Sequence, residues 1–353
     1  TIVFDITGGR KIMSVAMAFA SEGLKHIYPD IRMETFYILS KNLNRKYGLQ
    51  GYSEPFTERL IRIVTPLEIY SDMLANRVLS MISSMSFQSA IEICKDMKGR
   101  VLGEHRALYK VLFLIAMAYR AAIIKDNYGE ARKSLKGALD TIDENPSVRR
   151  FLGEKFVNAL KENVEMYGFI SEALSRRDFA NDGILLMSLD FWLKASYFEN
   201  IEDFANAAIL YYRAIELTQQ YIFAKEYGID TSRPDYDKLG NRCALEARFK
   251  EITKKLYGRE TTLPVKIGLI MGAIILKILG DNIYDNVDLV ELKNAISVRN
   301  DLPREHGLSP PTRRGVKPLK EISEKILELA FERYKPYNLS MQKAKSKLMM
   351  PKK

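Results

Sequence analysis

The chain is poor in the residues that build covalent or metal-held frameworks. It has 353 residues but two cysteines and three histidines. Cys94 and Cys243 stand far apart, with no second thiol at metal-ligand spacing. That argues against a disulfide scaffold and against a thiolate metal site, and it fits a reducing, cytoplasmic compartment. Each thiol is read as a small buried apolar side chain. No metal-ligand cluster is visible, so no metal is expected. The start of the chain has no signal-peptide pattern. Long apolar runs are missing too. The most apolar stretch, IGLIMGAIIL from Ile267 to Leu276, is ten residues long and lies between Lys266 and Lys277. It is too short to span a bilayer and reads as a buried helix, so no membrane partner is expected. Gly8-Gly9 comes without a GxGxxG pattern or a Walker lysine, which removes the common nucleotide-binding fingerprints.

What is present is an ordinary globular composition, 47% hydrophobic and 28% charged, with a formal net charge of +10. The length suits two or three domains. The positive excess favours a polyanionic partner such as RNA, held through its phosphates.

Residues 1–70 read as α/β. Ile2-Val3-Phe4 is a continuous apolar run of the kind found in buried parallel strands. Asp5 to Gly9 makes a turn, and Lys11 to Leu24 carries Ile12, Val15, Ala16 and Phe19 at helical spacing. Met33 to Leu39 and Leu60 to Val64 are further strands. In such a strand, Gly turn and helix unit, backbone N–H groups at the glycines can face a phosphate or a base edge. Residues 71–182 read as all-helical, broken at Asn145-Pro146, and residues 183–336 as a bundle of about five helices. Phe204, Ala208, Tyr211, Tyr212 and Ile215 share a broad face. No second copy appears at a period near 34, so a tetratricopeptide array is not supported. Pro318 suits the start of the last bundle helix, whose apolar face is Leu319, Ile322, Ile326 and Leu329. Residues 337–353 form a basic tail, expected to be loose.

The chemistry-bearing stretch is ISVRNDLPREHGLSPP, from Ile296 to Pro311. Leu289, Leu292 and Ile296 give the preceding helix its phase, and Asn286 or Asp288 can cap it. Arg299 and Asn300 fall on its last turn. Pro303, Gly307, Pro310 and Pro311 end the pattern, which puts His306 on an irregular turn. A permanent cation that can fork onto a phosphate, an amide and a titratable imidazole suit phosphodiester chemistry. Arg100 and His105 form a looser pair in a different context, read as structural or surface residues.

Arg299-Asn300, with His306-Gly307 after a gap of six, resembles the R-x(4–6)-H motif of HEPN ribonucleases. Asp5-Ile6-Thr7-Gly8-Gly9-Arg10-Lys11-Ile12-Met13 resembles the D-x-T-G-G-T-K-x-M segment of CARF domains, with Arg10 where that family usually has Thr. Together the motifs resemble the CRISPR-associated CARF–HEPN ribonucleases of type III systems. The resemblance implies a partial Rossmann-like CARF part over 1–70, with further residues before Thr1 to complete it. It implies a helical linker over 71–182 and a HEPN bundle over 183–336. It further implies a homodimer that binds cyclic oligoadenylate as an allosteric activator at Asp5, Thr7, Gly8, Gly9, Arg10 and Lys11, with no cofactor. Single-stranded RNA would then be cleaved without metal to a 2′,3′-cyclic phosphate. Arg299 would stabilise the phosphorane, His306 would transfer a proton or position the phosphate, and Asn300 would orient one of these groups. The alternative is a catalytically inactive nucleotide sensor or RNA-binding scaffold. A helical interaction protein would explain the middle of the chain but neither motif.

Overall fold

A computed structural model describes residues 2–5, 33–40, 58–62, 66–101, 103–300 and 311–351, with the isolated positions 16, 17, 20 and 24. The chain is mostly helical. Two compact units emerge, one from residues 1–126, 133–161 and 351–353, the other from 127–132 and 162–350.

The first unit holds a three-stranded sheet, β1 (Ile2–Asp5), β2 (Met33–Ser40) and β3 (Glu58–Arg62), in that spatial order. β1 runs parallel to β2, with Ile2 opposite Met33. Parallel neighbours need a crossover, and the connection 6–32 is long enough to supply one. β3 is antiparallel to β2 with Phe36 opposite Arg62, so the sheet is mixed, and β3 begins two residues ahead of the expected Leu60.

Helices α1 (Pro66–Ser83), α2 (Phe87–Arg100) and α3 (Gly103–Ile124) follow the sheet, packed against one another. α3 buries Leu108, Tyr109, Val111, Leu112, Ile115, Ala116 and Tyr119. The Tyr109 hydroxyl donates to the Ser71 carbonyl at 2.7 Å. By length and hydropathy α3 is the one described helix that could cross a bilayer, yet 56% of its apolar window is buried within the protein. It therefore serves as a core helix of this unit. Cys94 is fully buried against it, and burial pushes its thiol up to about 12. Cys243, in contrast, is exposed, which corrects the expectation that both thiols are buried. α4 (Tyr128–Asp143), α5 (Pro146–Leu152) and α6 (Glu154–Arg176) continue the chain, and α4 and α6 each contribute residues to both units.

The second unit is built on α7 (Asp182–Asn200) and α8 (Phe204–Tyr227), which pack along each other. Asn181 caps α7 by accepting from the Gly183 N–H at 2.9 Å, and Asp203 caps α8 by accepting from the Asn206 N–H at 3.1 Å. Gly228, in the left-handed conformation that favours glycine, ends α8. α7 is apolar nearly all round, so it is buried on most sides. Around this pair lie α9 (Arg242–Tyr257), α10 (Leu269–Ile278), the short α11 (Asn282–Asp285), α12 (Leu289–Asn300), α13 (Arg313–Tyr334) and α14 (Met341–Leu348). α10 is the Ile267–Leu276 run, and Leu269 and Ala273 to Leu276 are buried as expected.

Two expectations fail in α13 and α14. α13 starts at Arg313, so Pro318 lies inside the helix and removes the bond that would reach the Arg314 carbonyl. The basic C-terminal stretch is not loose, because residues 341–348 form a helix that buries Met341, Ala344 and Leu348. The Lys345 ammonium lies 4.1 Å from the Trp192 ring centroid and 3.1 Å from Glu324, so the lysines of this helix are anchors as well as charges.

Candidate active site

α12 carries the first half of the motif. Its start is fixed by Asp288, whose Oδ1 accepts from the N–H groups of Val290 at 2.7 Å and Glu291 at 3.1 Å. These two backbone bonds hold the exposed Asp288 carboxyl below its ordinary range. Asn286 is not the cap, since its side-chain amide donates back to the Asn282 carbonyl at 2.8 Å. Leu292, Ala295 and Ile296 are the buried stripe of α12. Lys293 pins the flank of this stripe: its ammonium donates to the Leu256 carbonyl at 2.8 Å and lies 4.6 Å from the Tyr257 ring centroid.

Arg299 and Asn300 are the last two residues of α12. Arg299 follows Ala295 and Ile296 by about one helical turn, at the end of α12. His306 and Gly307 lie outside the described residues, within the connection 301–310 that joins α12 to α13. The far end of that connection is fixed. Thr312 caps α13 by accepting from the Gly315 N–H at 3.3 Å. A methyl group placed on Gly315 would meet the Val298 Cγ1 at 3.6 Å, so the end of α12 and the start of α13 are neighbours.

The start of α13 adds charges that the motif search did not find. Arg313, Arg314 and Lys317 are exposed in its first turns, with no acid in the first turn. A helix N-terminus is the less favourable end for cations, by about 0.3–1 kcal/mol each. Lys317 is offset by its i,i+4 pairing with Glu321 at 3.6 Å. Behind them lies a polar cluster. Glu199, near the end of α7, accepts from Lys320 at 2.8 Å and from the Tyr211 hydroxyl at 2.9 Å. Ser196 is 3.1 Å from that hydroxyl. Burial opposes ionisation of Glu199, but the bonds from Lys320 and Tyr211 and the charges of Lys320 and Arg313 prevail, holding its carboxyl below the ordinary range. The Tyr211 phenol is pushed up, by burial first and by the adjacent carboxylate second. The sequence signal for this group was the Arg-Arg-Gly-Val-Lys run itself, masked by its nearness to a proline-rich break.

Of the residues expected at a ligand turn, Asp5 ends β1 opposite Phe36. Thr7, Gly8, Gly9, Arg10 and Lys11 lie outside the described residues. The decoy pair is occupied elsewhere: Arg100 bonds Asp96 at 2.6 Å and the His105 Nε2 lies 3.3 Å from Asp72. Among the described residues no group of three His, Cys, Asp or Glu side chains could hold a metal ion.

Three likenesses to known proteins fit this arrangement. Residues 176–330, which contain α12 and both motif residues at its end, match the family model of the Csm6 HEPN domain. Over 334 residues the chain is 26% identical to the CRISPR system endoribonuclease Csm6 of Thermus thermophilus, covering 93% of this chain and 68% of that protein. A solved structure of Enterococcus italicus Csm6 bound to cyclic hexa-2′-fluoro-hexa-dAMP superposes with a TM-score of 0.50, covering 99% of this chain and 75% of that one. At 12% identity this last likeness speaks for the fold. The chain is thus similar to Csm6 proteins over most of its length, and its residues 176–330 match the Csm6 HEPN domain.

Proposed function

We propose that the chain is a metal-independent, single-strand-specific endoribonuclease of type III CRISPR defence, switched on by cyclic oligoadenylate. The observation that carries this reading is the placement of Arg299-Asn300 on the last turn of α12, inside the segment that matches the Csm6 HEPN domain. The endoribonuclease name of the Thermus relative and the cyclic oligonucleotide bound to the Enterococcus structure support substrate and activator respectively.

In this reaction the ribose 2′-hydroxyl attacks the adjacent phosphorus and the 5′-oxygen leaves, giving a 2′,3′-cyclic phosphate and a 5′-hydroxyl. Arg299 holds the doubly charged phosphorane, the role for which a fixed guanidinium fork is suited. His306 acts in proton transfer or in positioning the phosphate, and Asn300 orients one of the two. Arg313 and Arg314, at the return of the motif connection, add positive charge along which flanking phosphates can lie. Residues 1–70 act as the C-terminal part of a CARF-like domain, with Asp5 and residues 7–11 at the activator turn. The active form is a homodimer in which two copies of the motif share one cleft. Each motif region offers one imidazole, whereas acid–base cleavage is helped by two proton-handling groups on opposite sides of the phosphate, and a two-fold contact repeats the same patch on both partners.

The test is turnover of a labelled RNA in EDTA, with and without cyclic tetra- and hexa-adenylate, followed by analysis of the product ends. Activator-dependent cleavage to cyclic phosphate ends is the expected result. Binding of both nucleotide and RNA without turnover would favour the inactive sensor.

A further inference from the structure

The first unit carries a second positive surface, which the nuclease reading does not use. A groove of about 410 Å³ opens among α2, α3 and the end of α4, lined by Lys98, Arg106, Lys110, Thr141, Glu144 and Asn145. Lys98, Arg106 and Lys110 are exposed, and among the described residues none of them has a carboxylate partner. Arg100, two residues after Lys98, is by contrast paired with Asp96. Glu144 is the single acid in the lining, so the groove keeps a net positive charge.

The groove continues along the surface in register. Arg106, Lys110 and Phe113 stand at i, i+4 and i+7 on α3, one helix face running over about 10 Å. On the neighbouring α2, Lys95 and Lys98 stand one turn apart. Their ammonium groups lie 6.0 and 5.9 Å from the centroid of the half-buried Phe113 ring. Arg106 stands in the first turn of α3, beside Glu104, and Lys110 one turn further on; among the described residues that line the groove, Glu144 is the one acid.

We propose that this strip is a docking site for single-stranded RNA. Four exposed cations on neighbouring helices match the main demand of a flexible strand, positive side chains for successive phosphates. The positive strip extends beyond the groove to the exposed Lys95, which favours a chain of phosphates over one small anion.

The proposal goes beyond the nuclease reading and is tested without turnover. Fluorescence anisotropy of the full chain with a labelled, uncleavable 2′-O-methyl RNA 20-mer would be followed against salt, for wild type and for Lys98→Ala/Arg106→Ala/Lys110→Ala. Affinity is expected to fall about tenfold or more at ~0.1 M salt. The slope of log affinity against log salt is expected to shrink by about 2, because each single-strand phosphate contact contributes roughly 0.7. The melting temperature is expected to stay unchanged, since all three side chains are exposed. If the alanine variant lost its helical circular dichroism, the Lys98→Gln/Lys110→Gln form would carry the same comparison. Unchanged affinity and slope in a folded variant would overturn the proposal. So would millimolar inorganic phosphate stabilising wild type but not the variant while RNA affinity stayed equal, because the groove would then be a small-anion site.

Discussion

At the residue scale the account rests on charged side chains whose surroundings give them different tasks. Arg299→Ala and His306→Ala are each expected to abolish RNA cleavage with folding retained, whereas Arg100→Ala and His105→Ala leave cleavage at wild-type level. A rate assay beside a thermal melt checks both, and wild-type activity in His306→Ala would remove the assignment. Lys194 and Asp190 have a structural task. Their charges lie 2.8 Å apart with both residues nearly fully buried, and the Tyr128 hydroxyl donates to Asp190 at 2.6 Å. Asp190→Ala would remove the carboxylate held against the buried Lys194 ammonium and the acceptor of the Tyr128 hydroxyl, a loss of about 3 kcal/mol. Lys194→Met/Asp190→Leu should cost much less, which denaturant titration would show. Glu199 gives a pH signature. Its carboxyl is held below the ordinary range in the folded chain. Its stabilising contribution is thus full above the unfolded value, near 4.3, and is lost as pH falls through the folded one. Glu199→Gln should flatten the acid limb of the stability profile, and an identical limb would show that Lys320 and Tyr211 do not favour the charged form. The charge patterns were open in the sequence. The pairing of Lys320 with Glu199, 121 residues apart, was not, because no local spacing encodes it.

At the element scale, helices with strong local signals were legible and their ends less so. The start and phase of α12 follow from Asp288, one of the two expected caps, and from the spacing of Leu289, Leu292 and Ile296, and the last turn falls at Arg299-Asn300 as the pattern implies. α14 escaped notice because Met341, Ala344 and Leu348 are separated by lysines, and a loose basic tail has the same composition. Its burial is decided by what it meets, Trp192 and Glu324, far away in sequence. Removing residues 340–353 is therefore expected to destabilise the second unit by several kcal/mol, since Met341 and Leu348 alone bury roughly 1.5–3 kcal/mol each. A melt unchanged by the truncation would contradict the docking. Gly183 is a second case: a methyl there would strike the Phe169 carbonyl and come within 2.9 Å of the Ala173 Cβ. Gly183→Ala should lower stability more than Gly315→Ala, where the nearest atoms are in ordinary contact at 3.6 Å. Sequence alone gave no reason to separate these glycines, because close helix approach is a property of the pair.

At the scale of the whole molecule, the claim is that an RNA-cleaving site in residues 176–330 is governed by a nucleotide bound near the start of the chain. The mainly helical character of the chain after the short sheet was legible because apolar residues recur there at helical spacing. Strand direction was not, since β3 reads like any short buried strand whichever way it runs. A shared dimeric site makes its own demand: tagged heterodimers of wild-type and His306→Ala chains should fall well below half of wild-type activity, and activity at half would refute the composite cleft. The most direct measurement is RNA cleavage by the full chain in EDTA, with and without cyclic tetra- and hexa-adenylate, for wild type and Arg299→Ala. The account expects one of the two rings to raise wild-type cleavage sharply and neither to raise that of Arg299→Ala. Cleavage by wild type that no ring alters, or activated cleavage that survives Arg299→Ala, would contradict it.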